Sequence, residues 1–192
     1  MKKHIGLLFG SFNPIHLGHV IIANYMVSFT DIDEVWFVIS PHNPHKDKAN
    51  LLSEQQRFEM VYRAIEKYPK LKASNIEFAL SQPSYTVHTL AYLEEKFPEK
   101  KFSLIMGADN LNSLSNWYNY EVILENYRLY VYPRPGCELG ELQHHKNVQV
   151  TNSPVMEISS SFIRESVKKG FDISYLMPIE AFNYLDEMNF YK

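Results

Sequence analysis

Short apolar runs alternate along the chain with longer stretches in which apolar positions recur three and four residues apart. Residues 4–9 form the first extended candidate, ending at Gly10. Glu34-Val35-Trp36-Phe37-Val38-Ile39 is the second, and Phe102-Ser103-Leu104-Ile105-Met106, ending at Gly107, is another. Residues 72–80, 127–132 and 148–151 complete the extended set. Runs this short, apolar throughout and bounded by turn residues, read as strands buried on both faces. Between them the spacing predicts helices over 17–29, from Ser53 to about Tyr68, and over 85–97. Two short helices are expected within 109–126, then one over 160–169 and a last one over 178–189. In the first helix Val20, Ile21, Asn24 and Tyr25 fall on related faces. In the second, Ser53 and Gln56 form a capping box, and Phe58, Val61 and Ile65 mark the core face. Gly170 closes the helix that begins at Ser160.

Strands alternating with helices predict an α/β, Rossmann-like parallel sheet covered on both faces. No linker, repeat or low-complexity segment divides residues 1–192, so a single domain is expected. Sheets of this kind take ligands at the carboxyl ends of their strands. Unusual polar clusters should therefore follow strands, and they follow Phe9, Ile39 and Met106.

Composition narrows the function. With 45% hydrophobic and 14% aromatic residues, the 192-residue chain fills a core of its own. Its 19 basic residues face 22 acidic ones, a formal net charge of −3. No global positive field exists to hold nucleic acid, so that class of partner is not expected. The single cysteine, Cys137, excludes an intramolecular disulfide and a cysteine-cage metal site. No run approaches the ~18 apolar residues of a membrane helix. The start, Met1-Lys2-Lys3 before a brief apolar run, only faintly mimics a signal peptide. No membrane association and a cytoplasmic location are expected.

Three clusters carry candidate chemistry. The first is Gly10-Ser11-Phe12-Asn13-Pro14-Ile15-His16-Leu17-Gly18-His19, between the first strand and the first helix. Gly10 permits a tight turn and Pro14 stiffens it. His16 and His19 then stand at a helix start, where free N–H groups and the helix dipole favour a phosphate chain. A zinc pair or two inert surface histidines are the alternatives. Zinc needs further ligands, and no Glu follows His16 as in a His-Glu-x-x-His site. The second cluster is Pro41-His42-Asn43-Pro44-His45-Lys46, whose Lys46 is a point charge able to swing over a polyphosphate. The third is Ile158-Ser159-Ser160-Ser161-Phe162-Ile163-Arg164. Its serines begin a helix, and Arg164 falls off the Ile163/Val167 stripe, so hydroxyls, amides and a guanidinium make a second anion site. An ordinary capped helix with an exposed arginine is the alternative. Gly-Lys-[Ser/Thr], Gly-x-Gly-x-x-Gly and Gly-x-Ser-x-Gly do not occur, which removes the P-loop, the dinucleotide fingerprint and the hydrolase elbow.

Residues 10–19 resemble the Gly-[Ser/Thr]-Phe-[Asp/Asn]-Pro-x-His-x-Gly-His signature of the HIGH-motif nucleotidylyltransferases, and Ile158–Arg164 resembles their Ile-Ser-Ser-[Ser/Thr]-x-Ile-Arg signature. Pro44-His45-Lys46, Pro83-Ser84-Tyr85-Thr86 with Thr89-Leu90, and Gly107-Ala108-Asp109 through Trp117 narrow the resemblance to the bacterial nicotinate-nucleotide adenylyltransferase family. It runs from residue 5 to about 190 and is weakest over 136–150. The chain departs from the pattern at Phe9, usually Gly, at Asn13, more often Asp, and at His88, where many members carry Asp.

The resemblance implies transfer of the adenylyl group of ATP to nicotinate mononucleotide, giving nicotinate adenine dinucleotide and pyrophosphate, on a nucleotidylyltransferase fold. It implies His16, His19, Lys46 and Arg164 as catalytic residues. ATP would be bound by Gly10, Ser11, Phe12, His16, Gly18, His19, Ile158, Ser159, Ser160, Ser161 and Arg164. The mononucleotide would meet Lys46, Tyr85, Thr86, Gly107, Asp109 and Trp117, with Trp117 a stacking surface and Asp109 a ribose or metal contact. Mg²⁺ would arrive with ATP, held by substrate and water, without a protein cage. Another phosphorylated acceptor (nicotinamide mononucleotide or phosphopantetheine) and a non-catalytic ATP-binding module are the competing functions. A homo-oligomer is left open.

Overall fold

The computed structural model describes residues 2–41 and 51–192. Six strands make one sheet: β1 (Lys3–Gly10), β2 (Glu34–Ile39), β3 (Leu71–Ser74), β4 (Lys100–Gly107), β5 (Arg128–Tyr132) and β6 (Val148–Val150). Every pairing is parallel and the order is β3-β2-β1-β4-β5-β6. The chain builds outward from β1 to β3, then returns to add β4 on the other side of β1. That reversal opens a crevice beyond the carboxyl ends of β1 and β4, where such sheets bind ligands.

Seven α-helices cover the two faces among the described residues: α1 (Leu17–Phe29), α2 (Glu54–Ile65), α3 (Thr86–Lys96), α4 (Ala108–Asn112), α5 (Tyr120–Asn126), α6 (Ser160–Lys168) and α7 (Ile179–Glu187). Side chains along each strand alternate between two cores. Leu8, Phe37 and Ile39 pack with Met26, Met60, Val61, Ile163 and Ala181 on one face. Leu7, Val38 and Leu104 pack with Leu90, Leu93, Leu111 and Ile123 on the other. This double burial is why the strands read as unbroken apolar runs.

One expectation needs correction and two are refined. The run 72–80 is extended only to Ser74, and Ile76–Ala79 forms a 3₁₀ turn. β3 is an edge strand whose one neighbour, β2, ends at Ile39, so no partner remains to extend it. In α1 the buried stripe is Gly18, Ile22, Ala23 and Met26, while Asn24 is exposed. That helix is apolar on almost every side, so periodicity alone does not fix which side faces the sheet. In α2, Val61 and Ile65 are buried and Phe58 packs half-buried against the same core, as expected, while the adjacent Arg57 is also wholly inside.

Candidate active site

The β1–α1 loop is shaped by its small and strained residues. Phe12 adopts φ 45° and buries its ring edge-on against Phe37, 5.5 Å between centroids. A Cβ on Gly10 would lie 2.9 Å from that ring, so only glycine permits the approach. The peptide Asn13–Pro14 is cis. His16 caps α1 with extended backbone, and its buried ring stacks on His19 at 3.7 Å. Gly18 clears the space, since a Cβ there would meet His16 Nδ1 at 3.0 Å. The His16 backbone N–H donates to His19 Nδ1 at 3.2 Å, which leaves the ring proton of neutral His19 on Nε2. Burial, reinforced by the nearby Arg134 charge, pushes the His16 imidazole down to about 4. Its Nδ1 is buried without a hydrogen-bond partner among the described residues.

The start of α6 grips this loop. Ser159 accepts from the Phe162 N–H as an N-cap, 3.2 Å. Ser160 Oγ donates to the Pro14 carbonyl at 2.8 Å, and Arg164 donates to the Asn13 carbonyl at 2.8 Å and to Ser161 Oγ at 3.2 Å. The two signature segments, far apart in sequence, therefore meet, and their helix N-termini share one region. Asn13 Oδ1 accepts from the Leu52 N–H at 3.2 Å and the Tyr191 hydroxyl at 2.6 Å. Asparagine is thus a working acceptor at this position.

Beside the loop, a cleft of about 420 Å³ runs between the ends of β4 and β5 and the approach to α6. Asp109, Arg134, Cys137, Ile158 and Ser159 line it. Asp109 Oδ1 lies 3.4 Å from Arg134 Nε, and a Cβ on Gly107 would collide with that carboxylate. Asp109 is thereby placed with Ile158 and Ser159, on the side expected for ATP. Sequence reading missed Arg134. Its signal is the Pro133-Arg134-Pro135-Gly136 turn just after β5, the same position after a strand that marks the other clusters.

Tyr85 and Thr86 begin α3. The half-exposed Tyr85 ring stands 4.7 Å from Tyr118 and 5.7 Å from His88, forming an aromatic cluster. Trp117 is half-buried against the core behind it. Beneath, Glu77 buries its carboxyl, accepting from Thr89 at 2.7 Å and bonding Ser40 and Ser84; burial raises its pKa. Ser84 and Ser40 thus tie the start of α3 to the end of β2. Lys46 lies outside the described residues. No group of three or more His, Cys, Asp or Glu side chains clusters as a metal cage among the described residues.

A profile of the cytidylyltransferase-like family matches residues 7–166. The chain belongs to that family. A protein of Christiangramia forsetii named "Probable nicotinate-nucleotide adenylyltransferase" is 54% identical over 194 residues, covering all of both chains. A Flavobacterium johnsoniae protein of the same name is 56% identical over 190 residues, 98% of each chain. The fold is also that of Plasmodium falciparum nicotinic acid mononucleotide adenylyltransferase, solved with its dinucleotide NaAD: TM-score 0.82 at 22% identity, covering 98% of this chain and 97% of that one. The matched span, residues 7–166, includes both segments brought together at the crevice. No helix among the described residues is long and apolar enough to cross a membrane.

Proposed function

We propose that this chain transfers the adenylyl group of ATP to nicotinate mononucleotide. The observation that carries the reading is the meeting of the two signature segments at the topological switch, through Ser160 to Pro14 and Arg164 to Asn13. Full-length similarity to relatives bearing this activity's name supports it. In the reaction, a phosphate oxygen of the mononucleotide attacks the α-phosphorus of ATP. A new P–O–P linkage forms, the bond to the β-phosphate oxygen breaks, and pyrophosphate leaves with that electron pair. The attacking phosphate is already anionic, so positioning and charge stabilisation supply the catalysis without a strong base.

His16 and His19 receive the ATP phosphates at the positive end of α1. His16 starts neutral and donates an N–H; the polyphosphate charge then favours its protonation. Arg164, the serines of α6 and Lys46 hold the departing pyrophosphate, and Arg134 adds a cation across the cleft. Asp109 faces the adenosine ribose, while Tyr85, Thr86 and Trp117 bound the acceptor side. Mg²⁺ arriving with ATP would neutralise phosphate charge, and the cleft carboxylates available to its shell are Asp109 and Glu157. A cytoplasmic location is part of the same reading.

The test is one assay on purified protein with ATP, Mg²⁺ and either nicotinate or nicotinamide mononucleotide, quantifying dinucleotide and pyrophosphate together. Equimolar products with strong preference for the nicotinate form are expected. Preference for the amide overturns the acceptor assignment, and no product with either overturns the reaction.

A further inference from the structure

Arg57 is 0% exposed, on the α2 face that otherwise presents Met60, Val61, Ala64 and Ile65 to the core. Taking a guanidinium out of water is costly, and burial pulls its pKa down. An apolar side chain would fill this place at less cost, so its retention asks for a reason. No carboxylate ion pair to it occurs among the described residues. Its partners are backbone carbonyls. Nη1 donates to Ser11 at 2.7 Å and to Ser40 at 2.8 Å, Nη2 to Pro41 at 2.7 Å, and Nε to Leu52 at 3.0 Å. Ser11 belongs to the loop after β1 that leads to His16. Ser40 and Pro41 begin the loop after β2 that leads to Lys46.

We propose that Arg57 is a positioning residue for adenylyl transfer, setting the loop after β1 against the loop after β2 from inside the protein. The planar fork suits the task because it serves four carbonyls at once, which a lysine ammonium with three donors does not. Anchoring the Ser11 carbonyl also fixes the next amide: across a trans peptide the Phe12 N–H must face away from the guanidinium. The Leu52 backbone extends the brace. Its carbonyl takes Arg57 Nε, and its N–H reaches Asn13 Oδ1 at 3.2 Å. Tyr191 closes the far end by donating to the same oxygen at 2.6 Å. Arg164 and Ser160 hold the outer side of this loop, so the turn carrying His16 is fixed from both sides.

The kinetic part of the test rests on the proposed reaction; the spectroscopic part does not. Arg57→Lys keeps the charge and loses the fork. In histidine-labelled protein followed by NMR, the His16 ring of this variant should titrate at least about one unit higher than in wild type, because a loosened loop readmits water. In the same variant kcat should fall at least about tenfold, with the acceptor KM within about twofold. A folded variant whose His16 titrates as in wild type overturns the proposal, whatever its activity. Loss of adenylyl transfer by the wild type itself would instead remove the functional reading and leave the NMR result decisive. If Arg57→Lys fails to fold, Tyr191→Phe, which deletes one hydroxyl at the end of the brace, is read by the same titration. An upward shift supports the brace, and an unchanged curve overturns it.

Discussion

Burial holds the His16 imidazole near a pKa of about 4, with Arg134 adding to the effect, so the apo ring is neutral at pH 7. The same burial has a thermodynamic consequence. The unfolded ring binds its proton near 6.5, while the folded ring resists protonation until about 4. Below 6.5 the unfolded state therefore holds more protons, and stability falls as pH drops through this window. The loss levels off below about 4 and totals roughly 3 kcal/mol. Urea unfolding of wild type and His16→Asn between pH 7.5 and 4 measures it. The wild type should lose that much more stability than the variant; parallel curves would show that the buried ring is not proton-resistant. His19 differs in kind. Its Nδ1 accepts a backbone N–H, which dictates the tautomer, whereas His16 Nδ1 is buried without a partner among the described residues.

At the scale of elements, the candidate site is made by two helix starts. The N-cap of α6 is a hydroxyl accepting the Phe162 N–H, and replacing Ser159 by Ala should cost about 1 kcal/mol. Because the first turn of α6 and Arg164 anchor the helix onto the β1–α1 loop, fraying of that turn should also depress turnover. Thermal unfolding together with steady-state kinetics checks both, and a Ser159→Ala variant of full stability and rate would remove the cap from the account. These helix starts were legible because serine runs and His/Gly/Pro clusters carry local signals that do not depend on packing. So were β1, β2 and α1, whose bounds match or fall within a residue or two of the sequence reading. The inward side of α1 was not legible, because a helix apolar all round leaves its rotation to the sheet it packs on. Arg57 was hidden for the opposite reason. It neighbours Phe58 on an amphipathic helix, and nothing local reveals that loop carbonyls gather where the core should be. Arg134 could have been read, since it directly follows a strand end. Tyr191 could not, since its partner Asn13 is 178 residues away in sequence.

Across the whole molecule, polar chemistry is divided between the two ends of the sheet. At the carboxyl ends lie the loops and cations of the crevice. At the amino ends, His4 of β1 bonds Ser103 Oγ of β4 through Nε2 at 2.6 Å and the Asp31 carbonyl through Nδ1 at 2.9 Å. The Tyr130 hydroxyl of β5 donates to the Asp31 carboxylate. Asp31, His4 and Ser103 echo the side-chain order of a serine-hydrolase triad, but Ser103 is 0% exposed, so no substrate carbonyl can reach its hydroxyl. Burial is the main force lowering the His4 pKa, which keeps the ring a neutral link between strands. From His4 to Gly10 the strand rises about 20 Å, too far for this network to touch the reacting phosphates. The two ends should therefore separate under mutation. Ser103→Ala leaves the His4 ring nitrogen without its partner and should lower unfolding stability by about 1–3 kcal/mol, with kcat within about twofold of wild type. Arg57→Lys, at the other end, should lower kcat far more than its effect on stability accounts for. Denaturant unfolding and initial rates on the two variants decide the matter. A Ser103→Ala enzyme that loses turnover as severely as Arg57→Lys would mean that the sheet transmits the disturbance along its length, and that Arg57 has no special hold on the loops.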